Sequence, residues 1–122
     1  MCYNAVVDNV YTRGEDMSIT SDLLRGNTDT IIMAALKESD SYGYQINKAI
    51  QEKTGNRYEL KEATLYSAFR RLEDSGLIFS YWGNQESGAR RRYYTLTTLG
   101  HQTYEKNKAD WKEAKEIIDK LI

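Results

Sequence analysis

The stretch 61–96 constrains the fold of this chain more than any other, because it combines a helical apolar pattern with a strand–turn–strand pattern. Leu65, Phe69 and Leu72 recur at positions i, i+4 and i+7, which places them on one face of a helix. Gly76 follows at the point where a helix can end in a left-handed conformation. A short helix that stops here must be followed by a different kind of element.

The residues after this helix have the pattern of a β-hairpin. Segments 77–82 and 91–96 are rich in aromatic and β-branched residues, and the segment between them has the composition of a turn. In the second strand the side chains alternate, with Arg92, Tyr94 and Leu96 on one face and Arg91, Tyr93 and Thr95 on the other. A helix followed by a hairpin that carries three adjacent arginines is the outline of a winged helix.

Length and charge are compatible with a small nucleic-acid-binding domain. The 122 residues suffice for one domain with one modest core. The net charge of −1 argues against nucleic-acid binding when it is taken over the whole chain. However, five arginines concentrate at 70–71 and 90–92, whereas acids cluster at 8–22 and 105–119. A local basic surface can bind phosphate even when the chain is nearly neutral.

Several classes of protein are disfavoured by what the sequence lacks. Its apolar runs are too short to span a bilayer, and its beginning does not resemble a signal peptide. The single Cys2 cannot form an internal disulfide, so we expect a reducing, cytoplasmic location. There is no metal-ligand spacing, nucleophile-elbow motif or Walker glycine loop. We therefore expect no enzyme, no metal site and no cofactor.

The remaining pattern predicts a mainly α (α+β) fold, a winged helix-turn-helix with a two- or three-stranded antiparallel wing and a long C-terminal dimerisation helix. A first helix is predicted from Asp22 to Glu38, with Ser21 as its cap and Gly26 inside it. A second helix follows at 42–53, and segment 57–60 is a candidate third strand. We divide the chain into a flexible arm (1–17), the DNA-binding domain (18–96) and a C-terminal helix (97–122).

The last helix carries a narrow apolar seam. Tyr104, Trp111 and Ile118 are seven residues apart, and Ala114 and Leu121 occupy the intervening positions. A seam this long and regular is typical of helices that pair with another helix, so it predicts a homodimer. The alternative is that this helix packs against the first helix of its own chain.

Four segments carry a resemblance to a known family. YGYQI at 42–46, ATLYSAFRRLEDSGLI at 63–78, YWG at 81–83 and RRRYYTLTTLG at 90–100 resemble the PadR family of winged-helix transcriptional regulators. The resemblance implies a dimer with its recognition helix at 61–75, an arginine-rich wing, and characteristic tyrosines at Tyr66 and Tyr93. Ser67 departs from the pattern, because many members have proline there.

We predict a DNA-binding site formed by the recognition helix, the wing and the start of the second helix. Glu62, Thr64 and Ser67 suit contacts to bases. Phosphate contacts are expected from Lys61, Tyr66, Arg70 and Arg71. The wing arginines Arg90, Arg91 and Arg92 suit phosphate or a narrow minor groove, but the alternation of the strand means that not all three can face DNA. The resemblance adds Tyr93 to this site. Tyr44 and Gln45 lie in the first turn of the second helix, where exposed N–H groups favour a phosphate. The alternatives are that Tyr44 packs on a neighbouring helix and that the wing arginines form a solvated hairpin paired with acids such as Glu86.

Trp111 marks a candidate ligand site. Two copies of this residue facing each other across a dimer seam would form a slot for a flat aromatic molecule. The resemblance to a short, multidrug-binding member of the family implies a pocket with Leu23, Gly26, Asp29 and Thr30 nearby, and it places Lys115 where that member has an acid. The alternative is that Trp111 fills the interface and binds nothing.

The sequence thus predicts a DNA-binding transcriptional regulator, a repressor relieved by a flat hydrophobic small molecule. The competing hypothesis is a winged-helix protein-interaction module that does not bind DNA.

Overall fold

The computed structural model describes residues 18–83 and 90–122, and the predicted arm at 1–17, Cys2, Glu86 and the residues of the hairpin loop at 84–89 lie outside them. Within the described residues the elements are α1 (Ile19–Gly26), α2 (Thr28–Glu38), α3 (Gly43–Lys53), α4 (Glu62–Asp74), β1 (Ile78–Trp82), β2 (Arg92–Leu96) and α5 (Thr98–Leu121). The two strands pair antiparallel, with Ile78 opposite Leu96 and Trp82 opposite Arg92. The fold is mainly helical with a two-stranded wing, which confirms the predicted fold class.

One apolar core joins helices α2, α3 and α4 to the base of the wing. Its centre is the stacked pair Phe69 and Tyr94, whose ring centres are 3.9 Å apart. The buried apolar residues are Ile32, Met33, Leu36, Ile46, Ile50, Leu60, Leu65, Ala68, Phe69, Leu72, Ile78, Tyr94 and Leu96. Because Tyr94 and Leu96 come from β2, the base of the wing is part of the core rather than an appendage.

The helix ends follow the local sequence. α4 ends at Asp74 and is terminated by Gly76, which adopts a φ of 75°, and the Leu77 N–H donates to the carbonyl oxygen of Leu72 at 2.9 Å. The left-handed stop predicted at Gly76 is therefore confirmed. At the start of α5, the Thr97 hydroxyl accepts a hydrogen bond of 3.0 Å from the Gly100 N–H.

The prediction of one helix from Asp22 to Glu38 was wrong, because the chain breaks at Asn27. The Asn27 side chain donates to the carbonyl oxygen of Leu23 at 2.8 Å, and the Thr28 hydroxyl donates to that of Arg25 at 3.0 Å. Such side chains compete with the helix for backbone carbonyls and favour a break. The cap also lies earlier than predicted, because the Ser18 hydroxyl accepts from the Ser21 N–H.

No third strand forms at 57–60 within the described residues. Instead, Ser41 pairs with Tyr94 of β2 in an isolated antiparallel bridge. The Ser41 N–H donates to the Tyr94 carbonyl at 3.2 Å, and the Tyr94 N–H donates to the Ser41 carbonyl at 2.8 Å. The segment before α4 is held by a side chain: Asn47 donates to the Leu60 carbonyl at 2.7 Å and accepts from the Leu60 N–H at 2.8 Å. These bonds satisfy the backbone of Leu60 without a strand partner.

Across residues 18–83 and 90–122, no helix is long and apolar enough to cross a bilayer. In the same part of the chain, no group of three or more His, Cys, Asp or Glu side chains is arranged to hold a metal ion.

Candidate nucleic-acid interface

Helix α4 presents a polar face to solvent directly opposite its apolar face. Leu65, Ala68, Phe69 and Leu72 are buried in the core. The exposed positions on and just before the helix include all seven residues predicted there from the sequence as DNA-binding: Lys61, Glu62, Thr64, Tyr66, Ser67, Arg70 and Arg71. A single helix face that offers hydroxyl, carboxylate and cationic groups can contact both bases and phosphates in a major groove.

Thr64 and Ser67 line an open hollow of about 340 Å³ between α4 and the residues near the α1–α2 break. Arg25 and Thr28 line its other side. The hollow is therefore continuous with the exposed face of α4.

Arg71 lies at the edge of this hollow and is held by Asp29. Its Nη2 is 2.5 Å and its Nε 3.2 Å from the two carboxylate oxygens, so the pair is bidentate. The hydrogen bonds to Asp29, and then the attraction of its charge, raise the pKa of Arg71. The pair ties α4 to α2, and both groups are partly exposed. Asp29 thus faces Arg71 and is not among the residues that line the apolar cavity beside Trp111.

The start of α3 adjoins the start of α4. Tyr44 is 70% exposed, which argues against packing on a neighbouring helix, while the predicted phosphate at this turn stays a prediction. Gln45 is also exposed and accepts a hydrogen bond of 2.7 Å from the Ser41 hydroxyl. A Cβ added at Gly43 would lie only 2.9 Å from the Tyr66 hydroxyl. Gly43 therefore permits a close approach of the two helices that places Tyr66 beside the first turn of α3.

The wing arginines each lie against an aromatic ring. The guanidinium carbon of Arg90 is 4.9 Å from the centre of the Trp82 ring, and that of Arg91 is 4.9 Å from the Tyr42 ring. Tyr93 also contacts Tyr42, with ring centres 5.2 Å apart. Arg91 and Tyr93 thus share the face that the alternation assigned to them, away from Tyr94. The aromatic contacts restrict the guanidinium groups while leaving the side chains exposed.

Trp82 was missed as a candidate site residue in the sequence analysis. It is 55% exposed and lies opposite Arg92 at the outer end of the sheet. Its position could have been found from the alternation of β1, in which Ile78, Ser80 and Trp82 share one face. Tyr81, on the other face, donates to the Asp40 carboxylate at 2.5 Å. That hydrogen bond, followed by burial, raises the pKa of Tyr81.

A separate cavity of about 400 Å³ lies between α1, α2 and α5. Its walls include the predicted ligand residues Leu23, Thr30 and Trp111, whereas Gly26, Asp29 and Lys115 are not among the lining residues. The other lining residues are Thr20, Leu24, Asn27, Ile31, Ala34, Tyr104 and Lys108. A Cβ added at Gly26 would meet no described neighbour within 4 Å, so packing does not require a glycine at this position. The cavity is mainly apolar, with one cationic group among its lining residues.

Helix α5 packs on its own chain mainly over its first half. Lys37 and Glu105 form an ion pair of 2.7 Å, and the Asn107 side chain donates to the Thr30 hydroxyl at 3.0 Å. Of the predicted seam residues, Tyr104, Trp111 and Ala114 are partly buried, but Ile118 and Leu121 are 43% and 75% exposed. The apolar stripe thus continues past the body of the protomer.

Comparison with known proteins identifies relatives across most of the chain. The model of the transcriptional regulator PadR-like family matches residues 32–106. A transcriptional regulator from Clostridium thermocellum is 48% identical, with a TM-score of 0.79 over 86% of this chain and 99% of that one. A PadR family transcription regulator from Clostridium difficile is 38% identical, with a TM-score of 0.67 over 78% of this chain and 97% of that one. Bacillus subtilis PadR, whose structure was solved in complex with operator DNA, is 26% identical, with a TM-score of 0.58 over 69% of this chain and 45% of that one.

Proposed function

The chain belongs to the PadR-like family of transcriptional regulators, and from this premise we propose that it binds operator DNA as a homodimer and represses transcription. Proteins of this family are regulators rather than enzymes. The observation that carries the proposal is the exposed polar face of α4 beside a wing with three arginines. The complex of the Bacillus subtilis relative with operator DNA supports the same partner for this chain.

In this proposal α4 is the recognition helix. Thr64, Ser67 and Glu62 would contact base edges, while Lys61 and Arg70 would contact phosphates. Tyr44 and Gln45 lie in the first turn of α3, with Tyr66 beside it, and the N–H groups of this turn would contact a second phosphate. The wing would lie on the flanking backbone, where Arg90 and Arg91 supply planar donors for phosphate.

The homodimer would form through the second half of α5. The exposed Ile118 and Leu121 continue the seam that begins at Tyr104 and Trp111, and an apolar stripe of this kind is stabilised by a matching helix. A two-fold dimer presents two recognition helices, so each protomer can occupy one half of the operator. The simplest action of such a dimer at a promoter is to exclude polymerase, which is repression.

We propose that a flat hydrophobic molecule in the cavity beside Trp111 relieves repression. The cavity borders both α5 and the α1–α2 pair, so an occupant could change how the dimer helix lies on the body. Half-sites are tolerated only near one helical turn apart, roughly 34–36 Å, so a small tilt at the seam would cost affinity. The occupant must bind the two arrangements unequally to have this effect.

DNA binding is tested by fluorescence anisotropy with a labelled fragment from the region upstream of the chain's own gene and an unrelated fragment, at several salt concentrations. We expect tight binding to the first fragment only, weakening steeply with salt. Replacing both Arg90 and Arg91 with Ala should lower the salt slope by about 0.9 for each phosphate that the variant no longer neutralises. The control is Lys53→Ala, which removes one charge about 14 Å along α3 from Tyr44.

No binding to either fragment at low salt would contradict the proposal and favour the alternative, a winged-helix module that binds a protein. Equal, weak binding to both fragments would contradict specific recognition of this upstream region.

The ligand proposal has its own experiment. In a Trp82→Phe variant Trp111 is the only tryptophan, because the chain has two. The aromatic dye 8-anilinonaphthalene-1-sulfonate should quench Trp111 emission and weaken operator binding at saturation. Quenching without any change in operator affinity would show a cavity that does not regulate DNA binding.

A further inference from the structure

The three wing arginines are held in three different ways. Arg90 and Arg91 lie over single aromatic rings and remain exposed. Arg92 contacts another element: its Nη2 is 3.7 Å from the carboxylate of Glu73, in the last turn of α4. Among the described contacts of the three arginines, only that of Arg92 reaches the recognition helix.

A serine hydroxyl completes this contact. Ser80 donates to the Glu73 carboxylate at 2.8 Å and accepts a hydrogen bond of 2.9 Å from Arg92 Nε. Glu73 belongs to α4, Ser80 to β1 and Arg92 to β2, so three polar groups join all three elements. The guanidinium also lies 5.9 Å from the ring centre of Tyr94 and 6.0 Å from that of Trp82.

The triad formed by Glu73, Ser80 and Arg92 lies where it can set the orientation of the outer part of the wing. Toward the core, the wing is fixed by the buried pair Ile78 and Leu96 and by Tyr94. At the outer end Trp82 is exposed, and a two-stranded ribbon without further support is only marginally stable. The triad spans these two regions, because Ser80 lies opposite Tyr94 and Arg92 lies opposite Trp82.

We propose that Glu73, Ser80 and Arg92 fix the angle between the wing and the recognition helix, so that Arg92 is a positioning residue and Arg90 is a phosphate contact. The inference rests on the proposed DNA binding and refines it. α4 and the wing must meet the groove and the backbone of one operator half-site at the same time, so an error in their angle disrupts one of the two interactions.

The triad should contribute little to the free energy of folding. The side chains of Arg92 and Glu73 are 50% and 32% exposed, and ion pairs at such sites are screened by solvent. Its effect should therefore be seen in operator affinity rather than in the urea midpoint of unfolding.

The decisive variant is Ser80→Ala, because it changes no charge. If Arg92 is a positioning residue, this variant should bind operator about tenfold more weakly with an unchanged salt slope. Binding to unrelated DNA should not change, so specificity falls. Ser80→Thr keeps the hydroxyl and should retain nearly full operator affinity.

The two possible roles of Arg92 predict opposite effects of Glu73→Gln on DNA binding. If Arg92 bound phosphate directly, removing the negative charge of Glu73 would release the guanidinium and strengthen DNA binding. If Arg92 is a positioning residue, Glu73→Gln weakens operator binding. The double variant with Ser80→Ala then loses less operator affinity than the sum of the losses in the two single variants. Arg90→Ala should instead lower the salt slope by about 0.9.

All variants are measured as full chains by anisotropy on the operator and on unrelated DNA, with urea unfolding to verify folding. Wild-type affinity in both Ser80→Ala and Glu73→Gln would overturn the positioning role while leaving DNA binding intact. Failure of the wild-type chain to bind any DNA would overturn both proposals together.

Discussion

Two glycines in helices show how strongly the local surroundings decide what a residue does. Gly100 lies in the first turn of α5 and is buried, and a Cβ added there would be 2.1 Å from the carbonyl oxygen of Leu77 and 2.9 Å from Leu96. Gly26 ends α1 in open solvent, with no atom within 4 Å of an added Cβ. Only the first glycine is required by packing, because it lets α5 start directly against the turn after α4.

Alanine substitutions at these two positions should have opposite signs. Gly100→Ala forces backbone to move and should lower the free energy of unfolding by about 1–3 kcal/mol. Gly26→Ala should raise it by about 0.4–1 kcal/mol, because the unfolded chain loses freedom without any clash. Urea unfolding followed by circular dichroism measures both, and equal effects of the two substitutions would contradict the packing described for α5.

Single residues were predicted well where their role depends on neighbours in the sequence. The left-handed stop at Gly76 is fixed by the local helix pattern and could be predicted. The Arg71–Asp29 pair could not, because its members are 42 residues apart and each was assigned to a different site. Charge alone does not reveal which opposite charge a folded chain brings nearby.

At the level of elements, the entry into α4 depends on one side chain of α3. The Asn47 amide both donates to and accepts from the backbone of Leu60, which is buried. The orientation of α4 is thereby linked to α3 immediately before the first turn of α4. No regular backbone ladder could supply these bonds, because the segment has no strand partner within the described residues.

Replacing Asn47 with Ala should leave both backbone groups of Leu60 without their partner and cost about 1–3 kcal/mol of stability. Hydrogen exchange at the Leu60 amide gives the direct measurement, since its protection should fall far more than that of the core helices. Gln51→Ala is the matched control, because this amide on the same helix bonds the exposed Glu59. Unchanged exchange at Leu60 in Asn47→Ala would refute the role of this side chain.

The elements that the sequence predicts best are those with a complete local period. α4 and the two wing strands were predicted nearly to their ends. The helical spacing of apolar residues and the alternation along a strand are both visible in the local sequence and identify the type of element. The break at Asn27 escaped prediction, because the apolar stripe continues through it. The break depends on side-chain bonds from Asn27 and Thr28 to the preceding carbonyls, which a hydrophobic pattern does not contain.

At the scale of the whole molecule, the central feature is the unequal packing of α5. Its first half is bound to α2 through Glu105 and Asn107, whereas its last turns carry Ile118 and Leu121 toward solvent. The two interpretations of the seam therefore apply to different halves of one helix. The first half packs on its own chain, and the second half is our proposed contact with another copy.

A charge placed on the exposed stripe should prevent dimerisation. Ile118→Glu and Leu121→Glu would each bury a carboxylate at the proposed seam, which is costly without a partner. Sedimentation velocity should show a shift from dimer to monomer, with operator affinity lost in parallel. Lys120→Glu also introduces a carboxylate, but on a face of the same turn outside the seam, and should remain dimeric. If both Ile118→Glu and Leu121→Glu stay dimeric, the dimer interface does not include these two residues.

The central claim is that two copies of α4 read one operator, and hydroxyl-radical footprinting of the bound upstream fragment tests it most directly. Two protected patches on one face of the duplex, centred about one helical turn or 10–10.5 base pairs apart, are the predicted result. A single short patch would mean that one protomer binds alone. Uniform protection without a boundary would mean that the protein binds DNA without recognising a site, which would contradict the account.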